Sequence, residues 1–186
     1  MAITTETRTD IIETVVGMFG AAPGASVLAE LTISVEAGVS IADLTNILAD
    51  STVFKAIYPN FLTNEEFATN YLTNLLGSEV SAEILQEAVD ISVAELNGGM
   101  TRGQLVNLIL TTLPTIAEDD PNLGAAAAAF NNQVEVATYY SVDQNQSGST
   151  LEELQAIVDD VTSDDDTVTT AKASVDGTAN EGGTFS

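Results

Sequence analysis

Ser40-Ile41-Ala42-Asp43-Leu44-Thr45-Asn46-Ile47 and Thr101-Arg102-Gly103-Gln104-Leu105-Val106-Asn107-Leu108 decide the fold. Each opens on a hydroxyl residue with an acid or amide three positions later, the signature of a capped helix start. Each then continues with apolar residues at helical spacing: Leu44, Ile47 and Leu48 in the first, Leu105, Leu108 and Ile109 in the second. Working outward, Thr63-x-x-Glu66 and Thr150-x-x-Glu153 fit the capping box, and Ser163-x-x-Asp166 is an acidic variant of it. Ile11, Ile12, Val15, Val16 and Phe19 repeat the three-and-four spacing near the N-terminus. Stops are equally legible at Gly20, Gly38, Gly77, Gly98 and Gly99, with Pro59, Pro114 and Pro121 following apolar runs. These marks predict helices over 8–19, 25–37, 41–57, 64–76, 82–96, 102–113, 124–140, 150–160 and 165–176. Alternation between Val134 and Val142 could suit a strand, but the alanine run before it favours helix. The expected class is all-α, a compact bundle of about eight or nine short helices.

The two opening segments belong to a longer internal repeat. Phe19-Gly20 and Ala25-Ser26-Val27-Leu28-Ala29-Glu30 match Leu76-Gly77 and Ala82-Glu83-Ile84-Leu85-Gln86-Glu87 with a separation of 57 residues, whereas the capped segments lie 61 apart. A slip of four is close to one helical turn, about 3.6 residues, so an insertion of that size keeps the same face inward. The expected organisation is a helical domain over 1–176, made of repeat units near 10–58 and 64–113 and a helical hairpin at 124–176. In that hairpin, Ala125–Ala129 carries no large side chain and lets a neighbouring helix come close, while Phe130, Val134, Val136, Ala137, Tyr139 and Tyr140 form its anchor. The glycine-rich run 177–186 reads as a linker to a further C-terminal region.

Composition narrows the function. The 186 residues hold 28 Asp+Glu against 4 Lys+Arg, a net charge of −24, with no Cys and no His. Disulfides, Cys/His metal centres and Ser–His or Cys–His catalytic pairs are therefore excluded. Four cations cannot neutralise a phosphate backbone, so nucleic acid is not an expected partner. No run of about 20 apolar residues is present, so membrane insertion is not expected. The apolar fraction of 45% is far above that of a disordered acidic tail. No nucleophile elbow, P-loop or dinucleotide fingerprint occurs, and no motif singles out a carboxylate pair, so the chain does not read as an enzyme and no catalytic residue is assigned.

One loop resembles the opening of a calcium site. Asp143-Gln144-Asn145-Gln146-Ser147-Gly148 follows D-x-N-x-S-G, with glycine at the sharp turn, but position twelve is Leu154 and Glu153 stands one residue early. Asp143, Asn145, Ser147 and Glu153 are the candidate metal ligands, with calcium the candidate ion. The alternative reading is a polar interhelical loop in which Glu153 serves the cap of Thr150. The cluster Asp159, Asp160, Asp164, Asp165 and Asp166 reads as a solvated face and a helix start.

Several segments also carry a family likeness: Val15–Pro23, Ser51–Pro59, Tyr71–Gly77, Val161–Asp164 and above all Phe130-Asn131-Asn132-Gln133-Val134-Glu135-Val136-Ala137-Thr138-Tyr139-Tyr140. Their order resembles the helical N-terminal region of bacterial surface-layer and repeat-in-toxin (RTX) proteins. The resemblance implies export by type I secretion through an uncleaved C-terminal signal, a place at the cell surface, and lattice partners held together by calcium. In Caulobacter-type surface layers it implies anchoring to the O-antigen polysaccharide of lipopolysaccharide. The chain departs from the family in having no Gly-Gly-x-Gly-x-Asp repeat, so the family's calcium has no position on it. The expected function is a non-enzymatic anchoring or assembly domain, with Asn131, Asn132, Tyr139 and Tyr140 the first candidates for holding sugar. The alternative is a self-association module of an extracellular lattice, filament or biofilm matrix, in which Ala125–Ala129 and the repeat faces meet copies of the same chain.

Overall fold

The computed structural model describes residues 3–181, the last four by backbone alone. The described residues form helices and no strand: α1 Thr5–Phe19, α2 Gly24–Glu36, α3 Ile41–Ala49, α4 Thr52–Ile57, α5 Asn64–Leu76, α6 Ala82–Asn97, α7 Arg102–Thr112, α8 Gly124–Thr138, α9 Leu151–Gln155 and α10 Asp165–Glu181. A 3-10 turn, Leu113–Thr115, follows α7, and a π-helical turn, Tyr139–Asp143, extends α8. No single helix among the described residues is long and apolar enough to cross a membrane.

Side-chain caps start most of these helices where the sequence places them. Ser40 Oγ accepts the Asp43 N–H at 3.1 Å, and the boxes Thr63/Glu66, Thr101/Gln104 and Thr150/Glu153 are closed in both directions. Three boundaries differ from expectation. The helix expected over 41–57 is two, because Ser51 takes the Phe54 N–H at 3.2 Å and starts α4 afresh. The helix expected over 150–160 ends at Gln155 and continues as turns that bury Val158 and Val161. Ser163 does not cap α10: its hydroxyl donates to Glu79 Oε2 at 2.9 Å, and Asp164 Oδ1 takes the Asp166 N–H instead. α10 runs on past 177 to Glu181, so the expected linker begins as helix, and residues 182–186 lie outside the described residues.

The internal repeat has a geometric counterpart. Gly38 and Gly99, 61 residues apart, have φ of +105° and +106°, a region that costs glycine little. Around them the same bonds recur: Val39 N–H to Ser34 O at 3.2 Å and Met100 N–H to Glu95 O at 3.1 Å. The extra turn sits in α6, 16 residues against 13 in α2. The third helices of the two units, α3 and α7, pack on each other, and a Cβ added at Gly103 would strike Asn46 of α3.

The core runs through α1, whose Ile11, Ile12, Val16 and Met18 are almost fully buried and which touches α2, α3, α4, α7 and α8. Ala126, Ala127 and Ala129 are also buried, where α8 lies along α1, so the small-residue run serves contact within the chain. Beside them Phe54, Tyr58, Phe67 and Tyr71 form an aromatic cluster, with Phe67 and Tyr71 stacked at 5.8 Å. Arg102, one of only four basic side chains, is spent on this cluster. Its guanidinium lies 4.6 Å from the Phe67 ring centre and donates to Pro59 O at 3.0 Å and Leu62 O at 2.7 Å, holding the α4–α5 loop rigid.

Candidate functional site

Two grooves flank the chain between α9 and α10, and Val161 borders both. The smaller, about 400 Å³, lies where the C-termini of α1 and α5 converge on residues 155–162. Phe19-Gly20 and Leu76-Gly77, the paired stops of the repeat, form one side; Asn74, Glu79, Gln133, Gln155 and Asp159 supply polar side chains. Two of these amides are tied by their nitrogens to backbone carbonyls, and Glu79 Oε2 accepts from Ser163. Gln133 donates through Nε2 to Val161 O at 3.2 Å, and Gln155 through Nε2 to Phe19 O at 2.9 Å. Because the acceptors are backbone carbonyls, each amide must present its nitrogen to them and its oxygen elsewhere. Asn74 donates to the Tyr58 hydroxyl at 3.0 Å. Burial, with Asp160 beside it, pushes the Asp159 carboxyl above the usual carboxylate range. The groove thus offers acceptors, with no basic side chain among its lining residues.

The larger groove, about 610 Å³, runs between α10 and residues 146–161. Tyr140, Ile157, Val161, Ala171 and Val175 make it apolar, Thr167, Thr170 and Ser174 line it along α10, and Glu153, Asp160 and Asp166 set acids around it.

The sugar candidates do not gather at one place. Tyr140 is buried and lines the larger groove; Asn131, Asn132 and Tyr139 line neither. Asn131 donates to Pro114 O at 3.4 Å and Asn132 to Thr162 O at 2.9 Å, so both fasten α8 to neighbouring loops. The Tyr139 hydroxyl donates to Asp176 Oδ1 at 2.7 Å, a bond that raises its pKa, while Lys172 sits 5.3 Å from the ring centre and pairs with Glu135.

The loop read as a calcium candidate docks on the start of α2. That helix begins at Pro23-Gly24 with no side-chain cap of its own. Its first three N–H groups are taken from outside: Gly24 by Ser141 Oγ at 3.0 Å, Ala25 by Gln146 O at 2.7 Å and Ser26 by Ser147 Oγ at 3.0 Å. Ser147 therefore caps α2, Glu153 Oε2 accepts the Ser149 and Thr150 N–H groups, and Asn145 adopts φ +50°. Asp143 closes the π-helical turn. Among the described residues no three His, Cys, Asp or Glu side chains gather as one ion would require. The smaller groove escaped the sequence reading because its walls come from five separate segments, and only the paired stops at Gly20 and Gly77 pointed to it.

Comparison with models of known protein families, with curated proteins and with solved structures finds no match.

Proposed function

We propose that this chain is a non-enzymatic anchoring domain of a surface-layer or RTX-type protein, placed at the cell surface by type I secretion, and that it holds the O-antigen polysaccharide of lipopolysaccharide. The observation that carries this reading is the smaller groove. Its amide oxygens, carboxylates and helix C-termini suit a ligand that brings many hydrogen-bond donors, as a neutral or aminated polysaccharide does. A phosphorylated or carboxylated ligand would meet no cation there. The charge of −24 keeps such a chain soluble before it reaches its attachment point.

Binding of the whole chain to purified lipopolysaccharide, measured calorimetrically with and without calcium, tests the reading. Asp159→Ala, on an exposed side chain, is expected to weaken binding and leave the melting temperature unchanged, whereas Asn74→Ala is expected to weaken binding and also to lower the melting temperature, because the buried Tyr58 hydroxyl loses its donor. Absence of binding in both conditions removes the anchoring function. Binding only with calcium places the ion at the contact.

A further inference from the structure

Asp143-Gln144-Asn145-Gln146-Ser147 carries a second signature besides the incomplete calcium pattern. Asn145 has a serine two places on, with glutamine and not proline between them, the spacing that asparagine-linked glycosyltransferases read. None of the other eleven asparagines has Ser or Thr at that place, so the chain offers one such acceptor. The fold treats this residue differently from its neighbours. Asn145 lies on the loop between the π-helical turn and α9, is exposed, and at φ +50° is the only non-glycine residue with positive φ among the described residues. The residues around it are tied down: Gln144 Nε2 donates to the Tyr139 hydroxyl at 2.8 Å, Gln146 Nε2 to Val175 O at 3.3 Å, and Ser147 Oγ accepts the Ser26 N–H at 3.0 Å. In this run of four, the Asn145 carboxamide alone bonds no described residue.

We propose that Asn145 is a glycosylation site, its side-chain nitrogen carrying a sugar delivered as a diphosphate ester. In the transfer the nitrogen attacks the anomeric carbon, and the C–N bond forms as the C–O bond to phosphate breaks. The diphosphate departs with the electron pair, and a base of the transferase takes one of the two amide protons. The serine two places on is the handle of the acceptor, held by such an enzyme through its hydroxyl. In the folded chain that hydroxyl is already spent: it takes the Ser26 N–H and bonds the Ser26 hydroxyl at 2.7 Å. Transfer therefore belongs to the interval before residues 141–147 dock on α2. Once they have docked, a sugar on Asn145 displaces no hydrogen bond of the fold. Asn145 lines neither groove, so the site is separate from polysaccharide binding.

Intact-mass measurement and peptide fragmentation of the chain isolated from the cell that makes it test this. One saccharide per chain, on Asn145, is expected; a native chain with Asn145 unmodified overturns the proposal. Expressed in the same cell, Ser147→Ala is expected to lose the sugar with Asn145 intact, and Ser147→Thr to keep it. A sugar that persists in Ser147→Ala overturns the proposal equally. Asn145→Asp keeps the side-chain shape and the tolerance of positive φ but has no nitrogen to offer, so it should carry no sugar and melt as the unmodified chain does. Asp143→Ala separates the donors. Bacterial enzymes that draw on a lipid-linked sugar require an acid two residues before the asparagine, so loss of the sugar points to a lipid diphosphate and retention to a nucleotide diphosphate. Order is tested on purified, unmodified chain given a soluble asparagine glycosyltransferase and UDP-glucose. Ser141→Ala, which loosens the seat on α2, should be modified several-fold faster than wild type, and equal rates would overturn the order of transfer before docking.

Discussion

α2 and α6 are the same helix of the repeat, yet they begin in opposite ways. α6 is started by its neighbour Ser81, whose hydroxyl takes the Ile84 N–H at 3.3 Å. α2 is started by residues 117 and 121 positions away in sequence, Ser141 and Ser147. The same contrast runs through both units. α5 and α7 carry closed capping boxes, whereas α1 ends where Gln155 reaches back to Phe19 O and Leu154 O accepts the Ala22 N–H. The second unit starts each of its helices on a local cap; in the first, α1, α3 and α4 do the same at Thr4, Ser40 and Ser51, but the junction of α1 and α2 depends on the C-terminal hairpin. Repetition in sequence therefore does not bring equal independence: one copy starts all its helices locally, while the other lends its first junction as a seat for the rest of the chain.

The largest way to break this contrast strikes the second unit at its tie to the α4–α5 loop. Arg102→Ala removes charged bonds to two loop carbonyls and the contact with Phe67, and should lower stability by about 3 kcal/mol in urea unfolding. Next comes a matched pair of caps. Ser141→Ala leaves the buried Gly24 N–H without its partner and should cost about 2 kcal/mol. Ser81→Ala opens an exposed cap that water can replace, and should cost about 1 kcal/mol. Amide exchange should speed up in α2 for the first variant and in α6 for the second; equal responses would dissolve the contrast.

Smaller effects come from one ill-fitting polar group in each unit. The Tyr71 hydroxyl in α5 is fully buried and bonds no described residue, so Tyr71→Phe should raise stability by about 0.5 kcal/mol. In α1, burial, with Asp10 nearby, pushes the half-buried Glu13 carboxyl up to about 7. The folded chain then binds this proton more tightly than the unfolded chain, whose carboxyl keeps the ordinary value of 4.5. Stability from this group is full below pH 4.5 and declines as pH rises towards 7. The melting temperature should therefore fall across that window, and Glu13→Gln should flatten the slope.

What could be read from the sequence follows the same division. Helix starts at Ser40, Thr63, Thr101 and Thr150 were legible because donor and acceptor lie three residues apart. The break at Ser51 was not, since the apolar period from Leu48 to Phe54 continues across it and hides a cap-forming serine. Ser147 read as an oxygen ligand of a loop site, whereas its hydroxyl, with Ser141 Oγ and Gln146 O, serves a helix start more than a hundred residues earlier. Neither groove was legible, because each is made by segments that only tertiary packing brings side by side. Asn131 and Asn132 show the same limit: their polar side chains suggested a ligand, and the carbonyls that occupy them belong to loops near Pro114 and Thr162.

The borrowed start of α2 bears on how the molecule comes into being. A polypeptide emerging from the ribosome exposes Gly24, Ala25 and Ser26 long before Ser141, Gln146 and Ser147 have been synthesised. During that interval the α5–α7 half can already close on its own caps, so the portion made first is finished last.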